Sequence, residues 1–206
     1  ESKSDTYEGL AFDVQALAAA KSIKSSSEQF LIAHRDLKRL TDVQGLALNG
    51  LSDIAKKLKL EMITASQPGG GVGFRAAIDA LYDDAVNLLN IKDNGRFIFS
   101  GTRTDTAPIT TLTPAALEAL GAGNHAQAFT NNSIQQKALV DDGLTITYGV
   151  LADSVAGDLF DLFQDLMIAA TASAGKFAKP LTDAERTFVI GKFSAADTAF
   201  DTVNLA

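Results

Sequence analysis

From about Phe12 to Ser66 the chain contains no proline and only the glycines Gly45 and Gly50, and this near-absence of breakers constrains the fold more than any other feature. A seven-residue repeat laid on the run places Ile23, Phe30, Leu37, Gln44, Leu51 and Leu58 on one row, with Ser26, Ala33, Leu40, Ala47 and Ile54 three residues further on. The apolar period is helical and close to that of a coiled coil, so Ile23, Phe30, Leu37, Leu40, Leu51, Ile54 and Leu58 form the expected packing stripe. Alanines on the second row permit close approach of a neighbouring helix, whereas Ser26 and Gln44 weaken the seam. Alone, such a helix leaves its stripe exposed, so the rest of the chain must supply partners.

Those partners are legible. In Gln67 to Gly73, QPGGGVG, Pro68 disfavours helix for the residue before it and the glycines free φ, which turns the chain back. Phe74, Ile78, Leu81, Tyr82, Ala85, Leu88 and Leu89 then mark a second amphipathic helix through about Asn90, placed to pack antiparallel on the first. Thr113 and Pro114 offer an N-cap and first-turn pair for a short helix through Leu120, which Gly121 to Asn124 end. Ile134 to Val140 and Leu144 to Val150 flank Asp141-Asp142-Gly143 and predict a hairpin. A third long helix is expected over Asp153 to Thr171. After a loop at Ser173 to Pro180, Thr182 and Glu185 have the capping-box spacing for a fourth that continues to the C-terminus.

The fold class predicted is mainly α with a small β subdomain: an antiparallel rod of long helices with an inserted β-hairpin domain. The expected division is 1–107 with 151–206 as the rod and 108–150 as the insert. At 206 residues the chain is long enough to bury about 70% of its unfolded surface. It begins at Glu1 rather than Met, and both ends are expected to cut through continuing structure.

The chemistry-bearing residues are sparse. Without cysteine there is no thiol nucleophile, disulfide or zinc ribbon. A net charge of −7 argues against a general nucleic-acid binder, and Lys56, Lys57 and Lys59 read as a solvated helix face. No apolar run reaches the roughly 20 residues of a membrane span. QPGGGVG lacks the Lys-Ser/Thr ending of a phosphate-binding loop and follows no strand, so it reads as a hinge. His34 and His125 have no companions at metal-ligand spacing. Asp83 and Asp84 point about 100° apart on a helix, and Asp141 and Asp142 serve a turn. Asn131-Asn132-Ser133 matches a glycosylation acceptor and reads instead as a turn before a strand. No catalytic, cofactor-binding or metal residues are therefore assigned, and no enzyme activity is expected.

The motif that stands out is Asn94 to Ile109, NGRFIFSGTRTDTAPI. A short strand over Phe97 to Phe99 is held between Gly95 and Gly101, after which Thr and Asp turn residues lead to Pro108. Arg96 and Arg103 bracket it, with no nucleophile and base inside.

This run, with helix, glycine hinge, helix, β insert and closing helix in that order, resembles the flagellin superfamily, closest to its hook-associated protein 3 branch. The resemblance rests on Asn94, Gly95, Arg96, Phe97, Ile98, Phe99, Ser100, Gly101, Thr102 and Pro108. Ala128 to Val150, AFTNNSIQQKALVDDGLTITYGV, is similar to the family's insert. The aromatic Phe97 and Phe99 tilt the likeness from filament flagellin toward the junction protein.

What the resemblance implies is a non-enzymatic structural subunit without cofactors, exported through the flagellar type III apparatus and located outside the cell. It would join hook to filament by helical self-assembly and heterologous contacts. Its partners would be hook-associated protein 1, flagellin, copies of itself and an export chaperone, with no nucleic acid and no membrane. The fragment itself is expected to be monomeric in dilute solution. Asn94, Gly95, Arg96, Phe97, Phe99, Gly101 and Thr102 form the family motif and the candidate subunit contact. Two rivals remain: a filament flagellin subunit, and an extracellular helical ligand-binding module whose inward polar candidates are His34, Arg35 and Gln44.

Overall fold

A computed structural model describes the backbone of residues 2–206 and the side chains of 14–206. The breaker-free run is one helix, α1, Ser2–Ser66. After the glycine turn come α2, Phe74–Leu89, and a two-residue hairpin of β1, Lys92–Asp93, with β2, Arg96–Phe97. The insert holds α3, Pro114–Ala119, a 3-10 turn at His125–Ala128, and the strands β3, Gln136–Asp141, and β4, Leu144–Tyr148. The chain closes with α4, Ala152–Ala172, α5, Asp183–Gly191, and α6, Phe193–Asn204. The fold is mainly α with a small β part, as expected.

Internal contacts divide the chain into two compact units, 1–39 with 137–148, and 40–136 with 149–206. The larger unit is a set of antiparallel helices, and paired residues fix each direction. Along α2 and α4, Arg75 reaches Met167 and Thr171 while Tyr82 meets Phe160 and Phe163. Along α4 and α6, Asp165 pairs with Lys192 and Asp158 with Thr202. Along α1 and α6, Lys59 pairs with Asp197 and Ser52 with Asn204. Leu51, Leu58, Met62, Ile78, Tyr82, Phe160, Phe163 and Met167 are fully buried between them. Interdigitated aromatic and branched side chains of this kind dominate folding energetics.

Arg75 ties three helices of this unit. Its guanidinium donates to Asp79 at 2.8 Å, to Glu118 at 3.0 Å and to the Met167 carbonyl at 3.1 Å. Gln164, wholly buried, donates to the Leu117 carbonyl at 3.0 Å and accepts from the Asn124 N–H at 3.2 Å, so its burial leaves no group unpaired.

In the smaller unit the hairpin β3–β4 lies by α1, and His34 Nε2 is 3.1 Å from the Val140 carbonyl. Asp141 Oδ1 accepts from the Asp142 N–H at 2.8 Å, the turn role expected of the Asp141 carboxylate. The helical stripe is correspondingly split. Leu51, Ile54 and Leu58 are core and Leu40 packs against it, whereas Phe30 and Leu37 are half-buried and Ile23 is 68% exposed.

Several local details differ from expectation. The fourth helix is two, because Lys192 adopts φ −93°, ψ 0° after Gly191 and uses its ammonium on Asp165. Glycine weakens a helix there, and the tertiary ion pair fixes the bend. The expected capping box is present, with the Thr182 N–H donating to Glu185 Oε2 at 2.7 Å. Hydrogen bonds from Ser173 and Thr182 hold the Glu185 carboxyl below its usual range. The expected strand at Phe97–Phe99 is shorter, because only Arg96 and Phe97 find a partner strand.

Candidate functional site

The Asn94 to Ile109 run begins as a hairpin. Lys92 faces Phe97 and Asp93 faces Arg96, leaving Asn94 and Gly95 as the two turn residues at φ 48° and 77°. A two-residue turn with both φ positive matches the twist of the strands it joins, and Asn-Gly is the pair that tolerates it best. Arg96 projects into solvent, and Phe97 is half-buried with the Lys92 ammonium 4.4 Å from its ring centroid.

After Phe97 the chain dives inward. Ile98, Phe99, Ser100 and Gly101 are all buried, Phe99 completely. Gln44 on α1 donates from Nε2 to the Ile98 carbonyl at 2.8 Å. The Phe99 carbonyl accepts from the Ala152 N–H at 3.0 Å at the start of α4. Ser100 Oγ donates to the Thr106 carbonyl at 2.6 Å. At Gly101, φ is 65° and an added Cβ would come closer than 3.0 Å to both Asn132 Oδ1 and the Ile134 carbonyl, so glycine is required for conformation and for space. Thr102 returns to the surface, its N–H shared between Asn132 Oδ1 at 3.1 Å and the Ile134 carbonyl at 3.0 Å. The run is thus sewn to α1, α4 and the insert by its interior part.

Its far end is held by α2. Asn90 donates to the Ile109 carbonyl and accepts from the Ile109 N–H, each at 3.1 Å. Ile109 in turn bridges antiparallel to Phe129. Tyr82, buried beneath, donates to the Thr111 carbonyl at 2.5 Å, and burial pushes its phenol up to about 12.

Of the candidate contact residues, Asn94, Gly95, Arg96 and Thr102 face solvent, Phe97 is partly available, and Phe99 and Gly101 are interior. Phe99 is therefore a core residue of this fold, leaving the outward positions as the contact candidates. Arg35 is exposed, and the Gln44 amide is committed to Ile98. Among the described residues no group of three or more His, Asp or Glu side chains is arranged to hold a metal ion, and no helix is long and apolar enough to cross a membrane.

The binding roles of Gln44, Asn90 and Asn132 were not visible in the sequence. Gln44 read as a flaw in an apolar seam, Asn90 as a helix end and Asn132 as a turn residue. In each, the amide satisfies a backbone group distant in sequence, for which local pattern carries no signal.

No family model matches the chain, and no curated protein matches it in sequence. Its fold does match solved structures. A putative flagellar hook-associated protein from Vibrio parahaemolyticus superposes with a TM-score of 0.69 over 93% of this chain and 82% of its own, at 20% identity. FlgL from Bacillus cereus superposes with 0.66 over 93% and 85%, at 13% identity. FlgL from Xanthomonas campestris superposes with 0.54 over 66% and 42%, at 16% identity.

Proposed function

We propose that this chain is a structural, non-enzymatic component of the bacterial flagellar axis, acting outside the cell at the junction of hook and filament. The observation that carries this is a fold shared with a hook-associated protein over nearly the whole chain, together with the NGRFIFSG run on which the family likeness rests. Axial proteins must present fixed surfaces to neighbours repeated along a helical lattice, and heterologous contacts that do not close generate such lattices.

The geometry of the run suits that task. Buried hydrogen bonds at Ile98, Phe99 and Ser100 hold its base, so Asn94, Arg96 and Phe97 are displayed on a preorganised turn. The exposed apolar residues Ile23 and Leu31, about 80° apart around α1, are a second surface suited to helix packing between molecules. Hook-associated protein 1, flagellin and further copies of the chain are the partners this reading names, with export through the flagellar type III apparatus, assisted by a chaperone.

The test is electron microscopy of the full-length natural protein, with and without sheared flagellar fragments as seeds. Binding at fragment ends without elongation supports the junction role. Long filaments grown unaided identify a flagellin instead, and no association under either condition removes the assembly reading.

A further inference from the structure

A cleft of about 180 Å³ lies between the 3-10 turn and α4, lined by His125, Phe129, Asn131, Asp153 and Gly157. Two features of it are left unexplained by the packing of the chain itself. Gly157 sits inside α4, where glycine costs helix stability, yet an added Cβ would meet nothing within 4 Å. Among the described residues no close contact demands the missing side chain; its absence keeps the floor of the cleft low. Asn131 Oδ1, on a lining residue, is buried without a hydrogen-bond partner, whereas His125 Nδ1 has the Asp161 carboxylate beside it. Buried polar atoms without a partner are rare enough in folded proteins to call for a reason. His125 Nδ1 is 2.8 Å from Asp161 Oδ1, but not aligned as a hydrogen bond.

Asp153, Gly157 and Asp161 follow one another at four-residue spacing, so they form a single stripe along α4, with carboxylates about 12 Å apart on either side of the glycine. Asp153 uses Oδ1 for Asn131 and Ser154, and its Oδ2 takes no hydrogen bond among the described residues. The Phe129 ring forms part of the wall, backed by Phe160 at 4.9 Å between centroids. The free Asp153 carboxylate oxygen and the aromatic face both complement a planar cation that carries several N–H donors.

We propose that this cleft is a contact site for an arginine side chain presented by a second copy of the chain. The chain carries three suitable donors: Arg35, Arg96 and Arg103 are exposed and make no ion pair among the described residues. The second-copy assignment rests on the assembly reading above, whereas the guanidinium chemistry of the cleft stands without it.

The test has two arms. In the first, N-acetyl-arginine amide is titrated into the chain and followed by amide and side-chain NMR, with N-acetyl-glutamine amide as a neutral control. Saturable shifts at Gly157, His125 and the Asn131 side chain are expected, with a dissociation constant of about 1 mM or weaker. Asp153→Asn and Gly157→Leu should weaken this at least about ten-fold. Gly157→Ala should raise the melting temperature while also weakening binding, a combination that damage to the fold would not produce. Equal shifts with the neutral control, no saturation, or indifference to these variants would overturn the site. In the second arm, self-association at high chain concentration is compared with Arg35→Gln, Arg96→Gln and Arg103→Gln. Loss in any of them supports the second-copy contact; unchanged self-association in all three, with arginine amide still bound, overturns that assignment and points to a different protein as the donor.

Discussion

The side-chain amide of Asn90 makes both hydrogen bonds to the backbone of Ile109, donating to its carbonyl and accepting from its N–H at 3.1 Å each. The residue that caps α2 thereby stands in for a β-strand, and it fixes the return of a loop whose other end is fixed by Gln44. Ile109 is fully buried, so neither backbone group has water as an alternative.

Replacing Asn90 with Ala therefore orphans two buried backbone groups. A loss of about 2–4 kcal/mol is expected, because each unsatisfied group costs about 1–3 kcal/mol. Urea unfolding followed by far-UV circular dichroism measures it, and a loss under about 0.5 kcal/mol would show that these bonds are not made.

Gln44→Leu separates the sequence pattern from the structure. The heptad row predicts stabilisation, since an apolar residue completes the seam. The hydrogen bond from Gln44 Nε2 to the Ile98 carbonyl at 2.8 Å predicts the reverse, a loss of about 1–2 kcal/mol. The sign of the change in the urea midpoint decides between them.

Gly101 and Gly95 share the NGRFIFSG run and both have positive φ, at 65° and 77°. Gly95→Ala meets no atom within 4 Å and should cost only the backbone term, about 1 kcal/mol. Gly101→Ala adds collisions with Asn132 and Ile134 and should cost about 3 kcal/mol or more. Thermal melts of the two variants should therefore differ by several degrees.

Tyr82 has its phenol raised from 10.0 to about 12, mainly by burial. A folded state that holds the proton more tightly gains stability that is complete below the unfolded value of 10.0 and is lost as pH rises through about 12. The wild-type chain should accordingly lose stability over that window more steeply than Tyr82→Phe. Parallel alkaline unfolding curves for the two proteins would contradict the assignment.

Arg96→Glu tests the outward face of the turn. The side chain is exposed and makes no ion pair among the described residues, so the melting curve should move by less than about 0.5 kcal/mol. Association of the full-length protein with flagellar fragment ends should fall, and unaltered end-binding would remove Arg96 from the contact.

The helical organisation, both helix caps and the hinge were legible in the sequence because each depends on neighbours within a few residues. Apolar spacing marks a helix, Thr182 with Glu185 marks its start, and Pro68 with the following glycines marks a stop. The Asn94-Gly95 turn could be read for the same reason. The inward turn at Ile98 and Phe99 could not, since alternating apolar residues beside glycines fit a strand equally well. Burial by α1 and α4 chose the core.

Sequence alone determined which segments are helical, since local apolar spacing and propensity suffice for that. Tertiary structure alone decided that Gln44 is a lock rather than a flaw, that Phe99 lies in the core, and that Lys192 bends the closing helix. Each depends on a partner tens of residues away in sequence. A buried carbonyl or carboxylate supplied by the fold gives those side chains roles that no periodicity encodes.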